Sequence, residues 1–394
     1  MRQIRFKIYS GTQHGLNCLL NSITTERALA RQSLFFVASN LGKIQLICNF
    51  TIEYNYSFYT KKFLLNPINS QRQKVLILRF SSLGDVLLTT PLIRALKRKN
   101  DGMLIDFVVK EQYSDLLKYN PRLNTVYTIT RNYDFTEGKS PDFGSYDYII
   151  DLQNNFRSKK ILSGAAKPVY KFKKHSIAKF LAVKLKKTDR LPVLPVPERY
   201  IGSFPGIEAD PLGCEFYFPP SFLPGENPGS QMIGICPGSK HFTKQWPVEY
   251  FLELSKKLLS SGYKVTVIGG ADDKIYGEKI KNLLPEVETV CGADDLFLIG
   301  KTMKECRAVV CNDSGLMHLA TACNVPVLAI FGSTIQGFGF APYHAKSIIL
   351  ENNFLSCRPC SHIGLAKCPK KHFKCMKEIL PEQVFQKLTG LTGR

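Results

Sequence analysis

The chain has 394 residues, 44% of them hydrophobic, and its 53 Lys and Arg against 32 Asp and Glu give a formal charge of +21. That is length enough for two domains with a core each, and so basic a surface implies an acidic partner. No run of about twenty apolar residues is free of charge, and no basic head, apolar stretch and small-residue cleavage site open the chain, so neither a membrane span nor a secretory leader is expected; the twelve cysteines then read as reduced cytosolic thiols.

Residues 1–73 carry nine basic and two acidic residues with no sustained period, and they read as a poorly patterned extension, disordered or part of a mis-assigned start. From Lys74 the pattern becomes strand, loop, helix. Val75–Phe80, Leu104–Val109, Thr125–Ile129 and Tyr146–Leu152 are buried-strand runs, which predicts a parallel sheet covered on both faces. Between Arg157 and Arg190 twelve Lys and Arg face one acid, Asp189. This stretch is either a solvated helix face or a docking surface for a phosphorylated or carboxylated acceptor; nucleic acid ranks below both because no recognised motif accompanies the charge.

A Pro-rich stretch from Leu191 to Pro228 reads as the interdomain connection. The alternation then restarts with strands at Met232–Cys236, Val265–Ile268, Ala308–Cys311 and Val327–Phe331, and a helical stripe at Val248, Phe251, Leu254 and Leu258. The expected organisation is an extension (1–73), an acceptor-side α/β domain (74–225) and a donor-nucleotide α/β domain with a Cys-rich tail (226–394). Ligands on such sheets sit beyond the carboxyl ends of the strands.

Three loops there carry chemistry. Ser81-Ser82-Leu83-Gly84-Asp85 leads into a helix with Leu88, Leu92 and Leu96 inside, where glycine and a helix N-terminus admit a ligand and where Asp85 would equally serve as a cap. Pro237-Gly238-Ser239-Lys240 to Lys244-Gln245-Trp246-Pro247 combines hydroxyls and lysines suited to a pyrophosphate. Asn312-Asp313-Ser314-Gly315-Leu316-Met317-His318 again opens a helix. Neither a P-loop nor a dinucleotide fingerprint is present, which weakens kinase and dehydrogenase readings.

In order, these loops, with Asp151-Leu152-Gln153-Asn154-Asn155-Phe156-Arg157-Ser158, resemble glycosyltransferase family nine, the ADP-heptose heptosyltransferases of GT-B fold: two Rossmann-like domains across a cleft. The resemblance runs from about Lys74 to the C-terminus. It implies an inverting transfer of heptose from ADP-heptose to a Kdo or heptose acceptor of the lipopolysaccharide inner core, at the inner face of the cytoplasmic membrane, without cofactor or divalent metal. Asp85 matches the catalytic base and Lys244 the lysine facing the leaving diphosphate. Ser239, Lys240, Asp313, Ser314, Gly315 and His318 fall on the donor side, as does Asp272, placed to within a residue. Ser82, Gly84, Asn154 and Arg157 fall on the acceptor side. Alternatives are transfer of another sugar to a surface glycan, or a silent nucleotide-sugar binder, against which Asp85 and Lys244 together argue.

Cys357, Cys360, Cys368 and Cys375, with His362 and His372 between them, leave two readings: a structural zinc site, or a packed tail whose lysines face an anionic surface.

Overall fold

The computed structural model describes residues 72–165, 167–222 and 230–393. The expected extension therefore lies outside the described residues but for its last two positions, as does the expected domain boundary at 225/226.

The first lobe is built on β1 (Lys74–Leu78), β2 (Leu104–Lys110), β3 (Thr125–Ile129), β4 (Tyr148–Asp151) and β5 (Val169–Lys171), all parallel in the order β3-β2-β1-β4-β5. The helix expected after β1 is two, α1 (Leu83–Leu87) and α2 (Thr90–Lys99). Pro91 explains the break: it has no N–H to continue α1 but suits the first turn of α2. Leu88, Leu92 and Leu96 are nonetheless fully buried, as their spacing predicts. α3 (Phe156–Ile161) follows β4, α4 (Ser176–Leu185) follows β5, and α5 (Val196–Ile201) interrupts the Pro-rich stretch. That stretch is thus more than a connector.

In the second lobe β6 (Met232–Cys236), β7 (Lys264–Val267), β8 (Glu288–Thr289), β9 (Ala308–Asn312), β10 (Val327–Phe331) and β11 (Ser347–Glu351) form a parallel sheet in the order β11-β10-β9-β6-β7-β8. Around it lie α6 (Val248–Ser260), α7 (Lys274–Leu283), α8 (Leu296–Glu305), α9 (Gly315–Ala322), α10 (Lys374–Lys377) and α11 (Pro381–Thr392). The α6 stripe buries Phe251, Leu254 and Leu258 completely.

Both sheets are doubly wound, and each reverses its strand order once, between β1 and β4 and between β6 and β9. The loops leaving these four strands are the ones the sequence singles out, because a switch point splays neighbouring loops apart and opens a crevice. One apolar cluster joins the lobes through Leu87, Leu88, Leu316 and Met317.

Candidate active site

The β1 loop is held by its neighbours. Arg79 donates from Nη1 to the Leu152 carbonyl at 2.9 Å, and the Phe80 N–H donates to Gln153 Oε1 at 3.0 Å, so the β1 and β4 loops are tied together. Buried Asp151 shapes the second loop, accepting from the Asn154 N–H and the Ser158 hydroxyl at 2.7 Å each. Asn154 turns in the left-handed region (φ 38°), and its side-chain amide donates to the Phe172 carbonyl at 2.9 Å. That amide helps to build the loop. Arg157 is exposed and lies over the Tyr133 ring at 4.7 Å.

Asp85, at the third position of α1, is 18% exposed and fully engaged on one side. Arg79 Nη2 meets Oδ1 at 2.7 Å, and the Ser82 N–H and hydroxyl donate to Oδ2 at 3.2 and 2.9 Å. Asp85 therefore does cap its helix, and the Ser82 hydroxyl expected on the acceptor side is taken by it. Burial pushes the carboxyl up, but the Arg79 charge and the Ser82 donors outweigh it and hold Asp85 below the usual carboxylate range. Tyr200, 1% exposed, lies under the Arg79 guanidinium at 5.8 Å.

Further cations crowd the same place. Lys179 of α4 is pushed down to about 8 by burial and by Arg199, with Arg79 and Lys174 adding to the effect and Asp85 opposing it. Lys174 is lowered too, by burial and then Arg79. Arg199 of α5 is 9% exposed; its Nη2 donates to the Phe338 carbonyl at 2.7 Å, while its buried Nε and Nη1 have no partner among the described residues.

In the second lobe, buried Asn312 clasps the β6 loop, accepting from the Trp246 N–H at 2.9 Å and donating to the Pro237 carbonyl at 2.8 Å. Trp246 is 1% exposed and donates to the Ile379 carbonyl, which anchors the loop end. Lys244 is thereby held inward: 14% exposed, its Nζ meets Asp313 Oδ2 at 2.8 Å, and the Thr334 hydroxyl donates to the same oxygen at 2.6 Å. Ser314 is the N-cap of α9, and its buried Oγ has no partner among the described residues; neither has His318 Nδ1. His318 is pushed down to about 4 by burial, against Asp313 and Asp85, so it is neutral at pH 7. Free backbone N–H groups, an orphaned hydroxyl and a neighbouring ammonium make an anion seat.

The two loops meet through glycines. A Cβ at Gly84 would stand 2.5 Å from His318 Cδ2, and one at Gly315 would stand 3.0 Å from Leu83 Cβ. Gly84 therefore faces α9 at the lobe seam. Ser239 gives its carbonyl to Gln245 Nε2 at 2.6 Å, and Lys240 is exposed. Asp272 is exposed, whereas its neighbour Asp273 receives the Gly270 N–H at 3.0 Å and fills the space beside Gly238.

Cys357 Sγ lies 3.8 Å from His372 Nε2, yet among the described residues no group of three or more His, Cys, Asp or Glu could hold a metal ion. Burial pushes the Cys375 thiol up to about 12 and Cys360 to about 11, so both stay protonated, and Cys375 and Cys368 pack in the second lobe's core.

Two doubly wound parallel sheets, their switch-point loops meeting at one seam, define a protein of GT-B fold. The sequence model of glycosyltransferase family 9 (heptosyltransferase) matches residues 214–371. Lipopolysaccharide heptosyltransferase 2 of Escherichia coli K12 is 26% identical over 350 residues, covering 81% of this chain and 98% of the relative. Lipooligosaccharide heptosyltransferase 2 of Haemophilus influenzae is 32% identical over 221 residues, covering 53% of this chain and 58% of the relative's length. Among solved structures, E. coli heptosyltransferase WaaC with ADP superposes with a TM-score of 0.61 at 19% identity, covering 81% of this chain and 100% of that one. The chain is thus similar to glycosyltransferase family 9, by the family model over residues 214–371 and by its likeness to heptosyltransferases over most of its length.

Proposed function

We propose that the protein transfers heptose from ADP-heptose to a Kdo or heptose acceptor of the lipopolysaccharide inner core. The observation that carries this reading is the seam itself: an ionised carboxylate on α1 and an anion seat on α9 come from opposite lobes and abut through Gly84 and His318. In support, the relatives named above are heptosyltransferases, and one superposed structure holds ADP.

The reaction is a single displacement with inversion. The acceptor hydroxyl oxygen attacks the anomeric carbon of heptose while Asp85 takes its proton. The bond from that carbon to the diphosphate oxygen breaks, and the electron pair leaves with ADP. Lys244, positioned by Asp313, and the α9 N-terminus with Ser314 receive the charge that grows on the departing diphosphate, an interaction stronger in the transition state than in the bound donor. No step needs a cofactor or metal ion. On the acceptor side Lys174, Lys179 and Arg199 supply cations for a carboxylated or phosphorylated headgroup, and the enzyme works at the inner face of the cytoplasmic membrane.

The test is a donor panel: purified protein with ADP-heptose or other sugar nucleotides, and truncated core lipid, following nucleoside diphosphate release and acceptor mass. A heptose mass increment with ADP-heptose alone is expected. Consumption of a different donor, or of none, would sink the assignment.

A further inference from the structure

α4 is apolar on both faces. Its inner side, Ala178, Ala182 and Val183, packs on Leu191 and on Ile335, Phe338 and Phe340 of the second lobe. The opposite stripe is Ile177, Phe180, Leu181, Lys184 and Leu185, at i, i+3, i+4, i+7 and i+8, where a surface helix normally carries polar side chains. Here Ile177 is 78% exposed, Phe180 59% and Leu185 58%. The turn after Leu191 adds Val193 at 98% and Leu194 at 51%. Exposed apolar residues scattered singly need no explanation, but a stripe continued by a neighbouring turn does. Around it Lys173, Lys184, Lys187 and Arg190 are exposed, with Asp189 the one acid in the run from 157 to 190.

We propose that α4 and the 193–194 turn seat the enzyme on an anionic lipid bilayer, the apolar side chains entering the boundary between headgroups and acyl chains and the basic rim lying on the phosphates. An apolar stripe ringed by lysines is the pattern of a helix lying in a membrane interface. A second copy of this chain is the wrong occupant, because it would bring like charges together. The inference rests on the glycolipid acceptor proposed above and adds to it a geometry: Lys179, on the same helix, lies close enough to Asp85 for each to feel the other's charge.

The experiment is flotation of the full chain with vesicles of phosphatidylcholine, with and without phosphatidylglycerol. Wild type is expected to float with the anionic vesicles and to release as salt is raised. The triple variant Ile177→Ser, Phe180→Ser, Leu185→Ser should lose more than about tenfold in partitioning. It should keep its thermal midpoint and its turnover on a soluble, deacylated acceptor, and lose turnover on acceptor embedded in vesicles. Should the triple variant misfold, Lys184→Gln with Lys187→Gln decides: its flotation should fall on anionic vesicles. Flotation indifferent to both variants, or a wild-type dimer that the triple variant dissolves, would overturn the seat. Sugar transfer to soluble acceptor without vesicle binding refutes the seat and leaves the transferase reading intact; flotation without any transfer does the reverse.

Discussion

The two sides of the seam are electrostatic opposites. In the first lobe an acid is wrapped by a cation, Asp85 by Arg79, and further cations stand behind it. In the second a cation is held by an acid, Lys244 by Asp313, beside an uncharged cradle of Ser314 and neutral His318. Each charge keeps its counter-charge within its own lobe, so neither is stranded at the seam when the cleft is empty. The difference lies in the surplus: the first lobe has cations to spare, which the proposed reaction gives to an anionic acceptor, whereas the second would meet its anion mostly through dipoles, which stabilise a growing charge without binding a nucleotide too tightly to release.

Variants that cancel one side test this contrast. Asp85→Asn should lower kcat about a thousandfold while ADP-heptose affinity, read by calorimetry, stays within a few-fold; equal loss of both would reduce Asp85 to a helix cap. Lys244→Ala should cost roughly a hundredfold in kcat/KM, with most of the loss in kcat under saturating donor. Unchanged turnover removes it from the mechanism. Arg79→Gln leaves the Asp85 carboxyl buried without its cation, so its pKa rises, and the acid limb of the rate profile should move to higher pH. A limb that stays put would assign it to another group. The smallest effect belongs to Lys179: its cation is lost as pH rises through about 8, so KM for an anionic acceptor should climb above that pH. Lys179→Arg, which stays charged, should abolish the climb, and a climb that persists would place the acceptor elsewhere.

The loops were legible because their residue types are local signals: a glycine beside a helix start, small hydroxyl residues at strand ends, Pro247 at a helix opening. Partners across strands were not. Arg79 stands six residues before Asp85, and the pairing of β1 with β4 brings Leu152 within its reach, so nothing in its own neighbourhood marks it. Lys179 is one of twelve cations in its run, distinguished by which face of α4 lies against the lobe. Asp272 and Asp273 differ by one step of a short helical turn, too little for periodicity to separate. Asn154, expected on the acceptor side, also holds the left-handed turn it sits in, a structural duty that its residue type alone does not reveal.

Gly84 carries a last consequence. Ordinary contact begins at 3.4 Å, and a methyl group there would stand 2.5 Å from the His318 ring. The single hydrogen at this position therefore works as the gauge of the machine. It sets how far apart Asp85 and the start of α9 are held, and in the reaction proposed above a misplacement of about 1 Å is enough to cost a hundredfold in rate.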